Sequence, residues 1–152
     1  MILQVVTEPD PILRQKARSV KKVSKRIKTL TQNMLETMYD ADGVGLAAPQ
    51  VGIDERIIVI DIGKGPIILI NPEITGKSGQ ERDMEGCLSI PGQKAYITRA
   101  SKVTVIGINP QGEKVELEGE GLLARAFQHE IDHLNGILFI DYISRESGEN
   151  KQ

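Results

Sequence analysis

The chain has 152 residues, 39% of them apolar, a formal net charge of −2 and a pI near 5.7. That length fits one domain with one core, while the mild acidity, 3% aromatic content and absence of Trp argue against a base-stacking surface or a basic nucleic-acid binder. No apolar run approaches the roughly 20 residues of a membrane span. The start lacks a basic flank and long apolar stretch, and one Cys forms no internal disulfide, so a reducing cytoplasm is the expected compartment.

Pro9 and Pro11 make the early segment extended or turn-like. The first helix is predicted over Ser24–Tyr39. Ser24 is its N-cap, and Ile27, Leu30, Met34 and Met38 form one apolar stripe at helical spacing. Asp40–Gly45 ends it, with Gly43 and Gly45 expected to take backbone angles barred to other residues. Strands are predicted over Arg56–Asp61, Pro66–Ile70 and Lys102–Ile108. A hairpin turn at Asn109–Gly112 leads into a strand at Glu113–Glu118. A second helix spans Gly121–Leu134 and stops at Asn135-Gly136. A last short strand is expected over Ile137–Tyr142, and Ser147–Gln152 is expected to be a disordered tail behind a single catalytic domain of residues 1–146. Because strands do not alternate with helices, the fold class is α+β. Antiparallel strands should pack around the second helix, with the other helix N-terminal.

Both histidines of the chain, His129 and His133, flank Glu130 in His-Glu-Ile-Asp-His on the second predicted helix. Positions four apart share a helix face, so both imidazoles can grip one metal ion with Glu130 beside it to take a proton from water. Two helix histidines that merely hydrogen-bond their neighbours are the plainer alternative. A catalytic zinc-type site usually has three protein ligands and an open position. Phe139 stands where one metalloprotease pattern has its third His. Glu146 and Glu149 lie in the polar tail, and Asp141 is close in sequence. The remaining candidate is Cys87, in Glu85-Gly86-Cys87-Leu88-Ser89, where Gly86 would let the backbone come close. Gly43-Val44-Gly45-Leu46-Ala47-Ala48-Pro49-Gln50 clears space beside a backbone, and Gln50 offers an amide donor. A metalloprotease and a noncatalytic module with a structural metal are the two rival classes.

The three segments together resemble the peptide deformylases. Their marks are Gly-hydrophobic-Gly-hydrophobic-Ala-Ala-x-Gln, Glu-Gly-Cys-hydrophobic-Ser and His-Glu-x-x-His, in that order, all present here. Pro9-Asp10-Pro11-Ile12-Leu13-Arg14 and His133-Leu134-Asn135-Gly136-Ile137-Leu138-Phe139 extend the likeness over nearly the whole chain. The resemblance implies removal of the formyl group from N-formylmethionyl nascent peptides. Cys87, His129 and His133 would hold one divalent ion, ferrous iron first, with zinc or nickel also able to occupy the site. Glu130 would be the general base and then the acid, and Gln50 and the Leu88 N–H would hold the oxyanion. Gly45 and Gly86 would pair with the substrate backbone. Val44, Leu122, Arg125, Ala126 and His129 would border the methionine pocket, Arg125 through its aliphatic stem. Arg99 and Asp132 would pair behind the metal helix. A monomer is expected, without membrane attachment or direct nucleic-acid specificity, in the bacterial cytoplasm or in an organelle after removal of a transit peptide. A transient ribosome contact is also expected, although the few residues after Tyr142 leave a long closing helix, and docking through it, absent or reduced.

Overall fold

The structure is a computed structural model and describes residues 1–143. The first helix, α1 (Lys25–Asp40), begins where the Ser24 hydroxyl accepts a hydrogen bond from the Ile27 N–H. It buries Ile27, Leu30, Met34 and Met38 on one face. Seven strands follow: β1 (Gly45–Ala47), β2 (Ile57–Ile60), β3 (Ile67–Ser78), β4 (Glu81–Cys87), β5 (Ile90–Arg99), β6 (Lys102–Ile108) and β7 (Lys114–Glu120). Helix α2 (Leu122–Leu134) comes last of these elements. All pairings between these seven strands are antiparallel. One sheet runs in the order β1-β2-β3-β6-β7, and β4 and β5 form a separate hairpin.

Strand β2 explains how two helices share one sheet. Its four residues Ile57, Ile58, Val59 and Ile60 are all fully buried, and successive side chains point to opposite faces. Ile57 and Val59 join the α1 core, while Ile58 and Ile60 join the α2 core with Phe127, Ile131 and Leu134. A continuous apolar run is what a strand covered on both faces requires. Each such side chain contributes about 1.5–3 kcal/mol on burial. The α+β class expected from element order is the one observed. A third cluster of Leu13, Ile90, Ile97, Leu138 and Phe139 seats the β4–β5 hairpin against the two ends of the described chain.

The end of α2 is held from outside. Arg56 donates to the Leu134 carbonyl at 2.9 Å and to Asn135 Oδ1 at 3.0 Å. Gly136 follows with φ of 73°, and a Cβ there would collide with the Arg14 carbonyl. Asn71, at φ 53° beside an irregularity in the β3–β6 register, ties down the N-terminal segment. Its amide accepts from the Val20 N–H and donates to the Val20 carbonyl, both at 2.8 Å.

Two expectations need correction. Ile137–Tyr142 is not a strand: residues 140–143 are helical, and the N–H groups of Asp141 and Tyr142 bond to the carbonyls of Leu138 and Phe139. Asp141 also accepts from the Leu138 N–H, a local bond that closes the turn, and from the distant Arg14. Gly43 and Gly45 take ordinary negative φ, and the left-handed residue of that loop is Asp42 at 56°. Strand β3 also runs eight residues past the predicted end, through a polar stretch that pairs with β6. The expected tail at 147–152 lies outside the described residues, as does any closing helix beyond 143. Among the described residues no helix is long and apolar enough to cross a membrane.

Met34, fully buried between α1 and the sheet, tests the helical stripe. Met34→Ala should cost about 2–5 kcal/mol of unfolding free energy, read by urea denaturation.

Candidate metal centre and active site

Helix α2 carries His129, Glu130 and His133 into the interior, at 9%, 4% and 1% exposure. The hairpin brings Cys87, the last residue of β4, to the same place. One donor atom from each of Cys87, His129 and His133 lies within 4.8 Å of the others, and Cys87 Sγ is 3.3 Å from His133 Nε2. Gln50 arrives from a 3-10 turn, Ala48–Val51, directly after β1. Its Oε1 accepts from the Ala47 N–H, which aims Nε2 at Ser89 Oγ (3.2 Å) and Cys87 Sγ (3.6 Å). The five residues expected to form the centre therefore converge from three separate parts of the chain.

Gly45 is needed for space rather than for φ. A Cβ there would fall on the Glu130 carboxylate, so this side chain lies flat against the β1 backbone. Gly86 is different: a Cβ would meet the Lys94 side chain at 3.4 Å and the Gln93 carbonyl oxygen at 3.6 Å, both ordinary contacts and neither with a residue of the Cys87–His129–His133 group. The expectation that Gly86 lets the backbone approach the metal cluster is therefore not met. Gly86 instead leaves an open place on the outer face of β4.

A cavity of about 140 Å³ opens onto the cluster. Val44, Gly45, Gly86, Leu122, Arg125 and Ala126 all line it, together with Gln50, Leu88, His129 and Glu130. The exposed apolar side chains of Val44, Leu122 and Met84 stand at this cavity, Met84 being one the sequence did not single out. Arg125 turns its guanidinium away, donating to Glu85 at 2.6 Å and to the carbonyls of Ile97 and Glu81. A larger cleft of about 840 Å³ lies elsewhere and includes none of the metal-cluster residues.

Glu85 is the residue that sequence reasoning missed. It is 6% exposed and accepts from Arg99 twice (2.7 and 2.9 Å), from Arg125 and from His129 Nδ1 (2.9 Å). Burial alone would raise its pKa, but the hydrogen bonds from Arg99 and His129 outweigh that and hold it well below the usual carboxylate range. An ionised Glu85 accepts the Nδ1 proton, leaving His129 Nε2 as a ligand atom. The available signal was strand alternation, which puts Glu85 on the same face of β4 as Cys87. Arg99 and Asp132 do pair, at 2.6 Å, and Tyr142 donates to the same Asp132 oxygen at 2.7 Å.

The centre is built for a cation. Burial would lower the His129 pKa, but Glu130, Cys87 and Glu85 raise it to about 10. His133, buried and next to His129, is pushed well down and keeps a free lone pair. Burial raises Glu130 to about 7, in the range suited to moving protons at neutral pH, and its Oε1 is buried with no hydrogen-bond partner among the described residues. A thiol, two imidazoles and an orphaned carboxylate oxygen fit a divalent metal with an adjacent proton acceptor.

A family model described as polypeptide deformylase matches residues 2–149. The peptide deformylase of Alkaliphilus metalliredigens is 59% identical over 140 residues, covering 92% of this chain and 95% of that one. The crystal structure of peptide deformylase from Thermotoga maritima matches with a TM-score of 0.91 and 48% identity, over 93% of this chain and 97% of that one. A Met-Ala-Ser-bound peptide deformylase from Acinetobacter baumannii gives 0.89 and 36%, over 93% and 98%.

Glu85→Gln removes the charge between two buried guanidiniums. It should lower stability by about 3–5 kcal/mol and metal affinity by roughly 10–100-fold, read by urea denaturation and metal titration. Gly45→Ala should keep the fold and the bound metal while kcat falls at least tenfold, because the new methyl displaces Glu130.

Proposed function

The chain belongs to the peptide deformylase family and removes the formyl group from N-terminal formylmethionine, and we propose that it does so with one divalent ion held by Cys87, His129 and His133 and with Glu130 moving the proton. The observation that carries this assignment is the gathering of those three donor atoms within 4.8 Å, beside a buried carboxylate with an unpartnered oxygen. A structural site usually closes its ion with four protein ligands. Only three gather here among the described residues, which supports a hydrolytic role.

Bound there, the ion supplies Lewis acidity, lowering the pKa of water from 15.7 towards about 7. Glu130 takes the proton from the attacking water and later delivers it to the departing amine nitrogen. Gln50 Nε2 and the Leu88 N–H donate to the oxygen that gains charge as water adds to the formyl carbon. Gln50 is suited to this because Ala47 already holds its other amide atom, so it need not reorganise during reaction.

The substrate backbone adds as a strand between Gly45 and Gly86. Among the described residues β1 is an edge of the five-stranded sheet and β4 is paired only with β5, so each has an unpaired side there. The methionine side chain enters the cavity bordered by Val44, Leu122, Arg125, Ala126 and His129. A formyl carbon carries only hydrogen, so a tight fit at that point excludes acetyl by volume. The working metal is ferrous iron, for which a thiolate and two imidazoles are suitable ligands, with zinc or nickel able to replace it. The enzyme acts as a monomer on nascent chains in the bacterial cytoplasm.

Formate release from formyl-Met-Ala-Ser, measured without oxygen, tests the assignment. Cys87→Ala should lose both metal and activity. Glu130→Gln should keep the metal and lose roughly 10²–10⁴-fold in kcat, and Gln50→Ala roughly 10²–10³-fold. Full activity in the Glu130→Gln enzyme would refute the proton role.

A further inference from the structure

The net charge of −2 conceals a strong segregation. Residues 14–28 contain eight of the 19 Lys and Arg and no acidic residue, whereas the other 137 residues carry 11 basic and 21 acidic residues, a formal charge of −10. All eight cationic side chains are exposed. Three are spent on ion pairs: Arg14 with Asp141, Arg18 with Asp54, and Arg26 with Glu55. The other five, Lys16, Lys21, Lys22, Lys25 and Lys28, make no ion pair among the described residues.

Stability does not explain this arrangement. Lys25 and Lys28 lie in the first turn of α1, where the helix dipole favours anions, and that turn contains no acid. Lys21 and Lys22 precede it directly and add like charge. A local rule broken without internal compensation marks a surface kept for a partner. The position suits one. Helix α1 runs from this cluster to the Asp40–Gly45 loop at the cavity, and its 16 residues span about 24 Å. A polyanion held at the basic end would leave the cavity mouth open.

We propose that Lys16, Lys21, Lys22, Lys25 and Lys28 form a docking surface for the phosphate backbone of RNA, bound without sequence preference. Five unpaired ammonium groups with no exposed aromatic cluster among them match phosphate contact rather than base stacking. RNA is favoured over other polyanions because the substrates are nascent chains, still attached to an RNA-rich particle. That choice of partner rests on the deformylase reading, although the charge pattern does not.

The test measures fluorescence anisotropy of a labelled RNA duplex of about two turns with the metal-loaded, full-length enzyme. Between about 50 and 200 mM salt, log affinity should fall with log salt at a slope of about −4. In a variant with Lys21, Lys22, Lys25 and Lys28 all changed to Gln, affinity should drop at least tenfold and the slope should flatten to about −1. The matching Lys→Arg variant should bind like the parent. Formate release from formyl-Met-Ala-Ser should be unchanged in both, and the Gln variant should melt no lower than the parent. Absence of binding at low salt, or binding undiminished in the Gln variant, would overturn the proposal. So would tighter binding to phosphatidylserine vesicles than to the duplex, which would make the surface a membrane contact. Loss of formate release in the parent would instead count against the deformylase reading alone.

Discussion

The carboxylate of Glu85 takes four hydrogen bonds from three side chains, and those side chains come from the hairpin and from α2. Withdrawing a carboxylate and two guanidiniums from water is expensive, and attraction between them offsets the cost only where geometry is good and the remaining N–H groups are satisfied. Here they nearly are. Arg99 also reaches Asp132 and lies 4.8 Å from the Tyr142 ring centroid, and Arg125 reaches two carbonyls. The same carboxylate orients His129. One buried anion thus docks the hairpin on the helix and sets which imidazole nitrogen faces the candidate metal site.

Around that anchor the sheet supplies rigidity. β2 is covered on both faces, and its neighbour β1 presents Gly45 to Glu130 and leads into the turn that carries Gln50. A side chain held by close packing keeps its position without spending binding energy to reach it. Gln50 is fixed through its own amide, Glu130 through the missing Cβ of Gly45, and His129 through Glu85. Three different devices each remove one degree of freedom from the centre.

Much of this was legible in the chain. The stripe of α1, its Ser24 cap and the span of α2 follow from apolar period and capping chemistry, and they agree with the structure to within a residue. His129, Glu130 and His133 announce themselves by spacing, and Cys87 by elimination. What stayed hidden depends on distant parts of the chain. β4 and β5 are long, but their outer face is polar and exposed, so they lack the apolar run that marks β2. The role of Gly45 depends on Glu130, 85 positions away, which no local rule for glycine contains. Ile137–Tyr142 carries strand-like apolar residues, yet Asp141 and Arg14 turn it into a helical corner. Whole-chain charge misled in the same manner, because an average erases the contrast between residues 14–28 and the rest.

The edge strand β1 is only three residues long, about 10 Å of extended chain. A longer bare edge beside a reactive pocket would invite pairing with other copies and aggregation. On the strand-addition reading, so short a ledge can grasp two or three residues of an incoming chain, and only while they are still unstructured. Which proteins are processed is then decided less by their sequence than by a race: the enzyme must arrive before the new N-terminus is buried in a fold of its own.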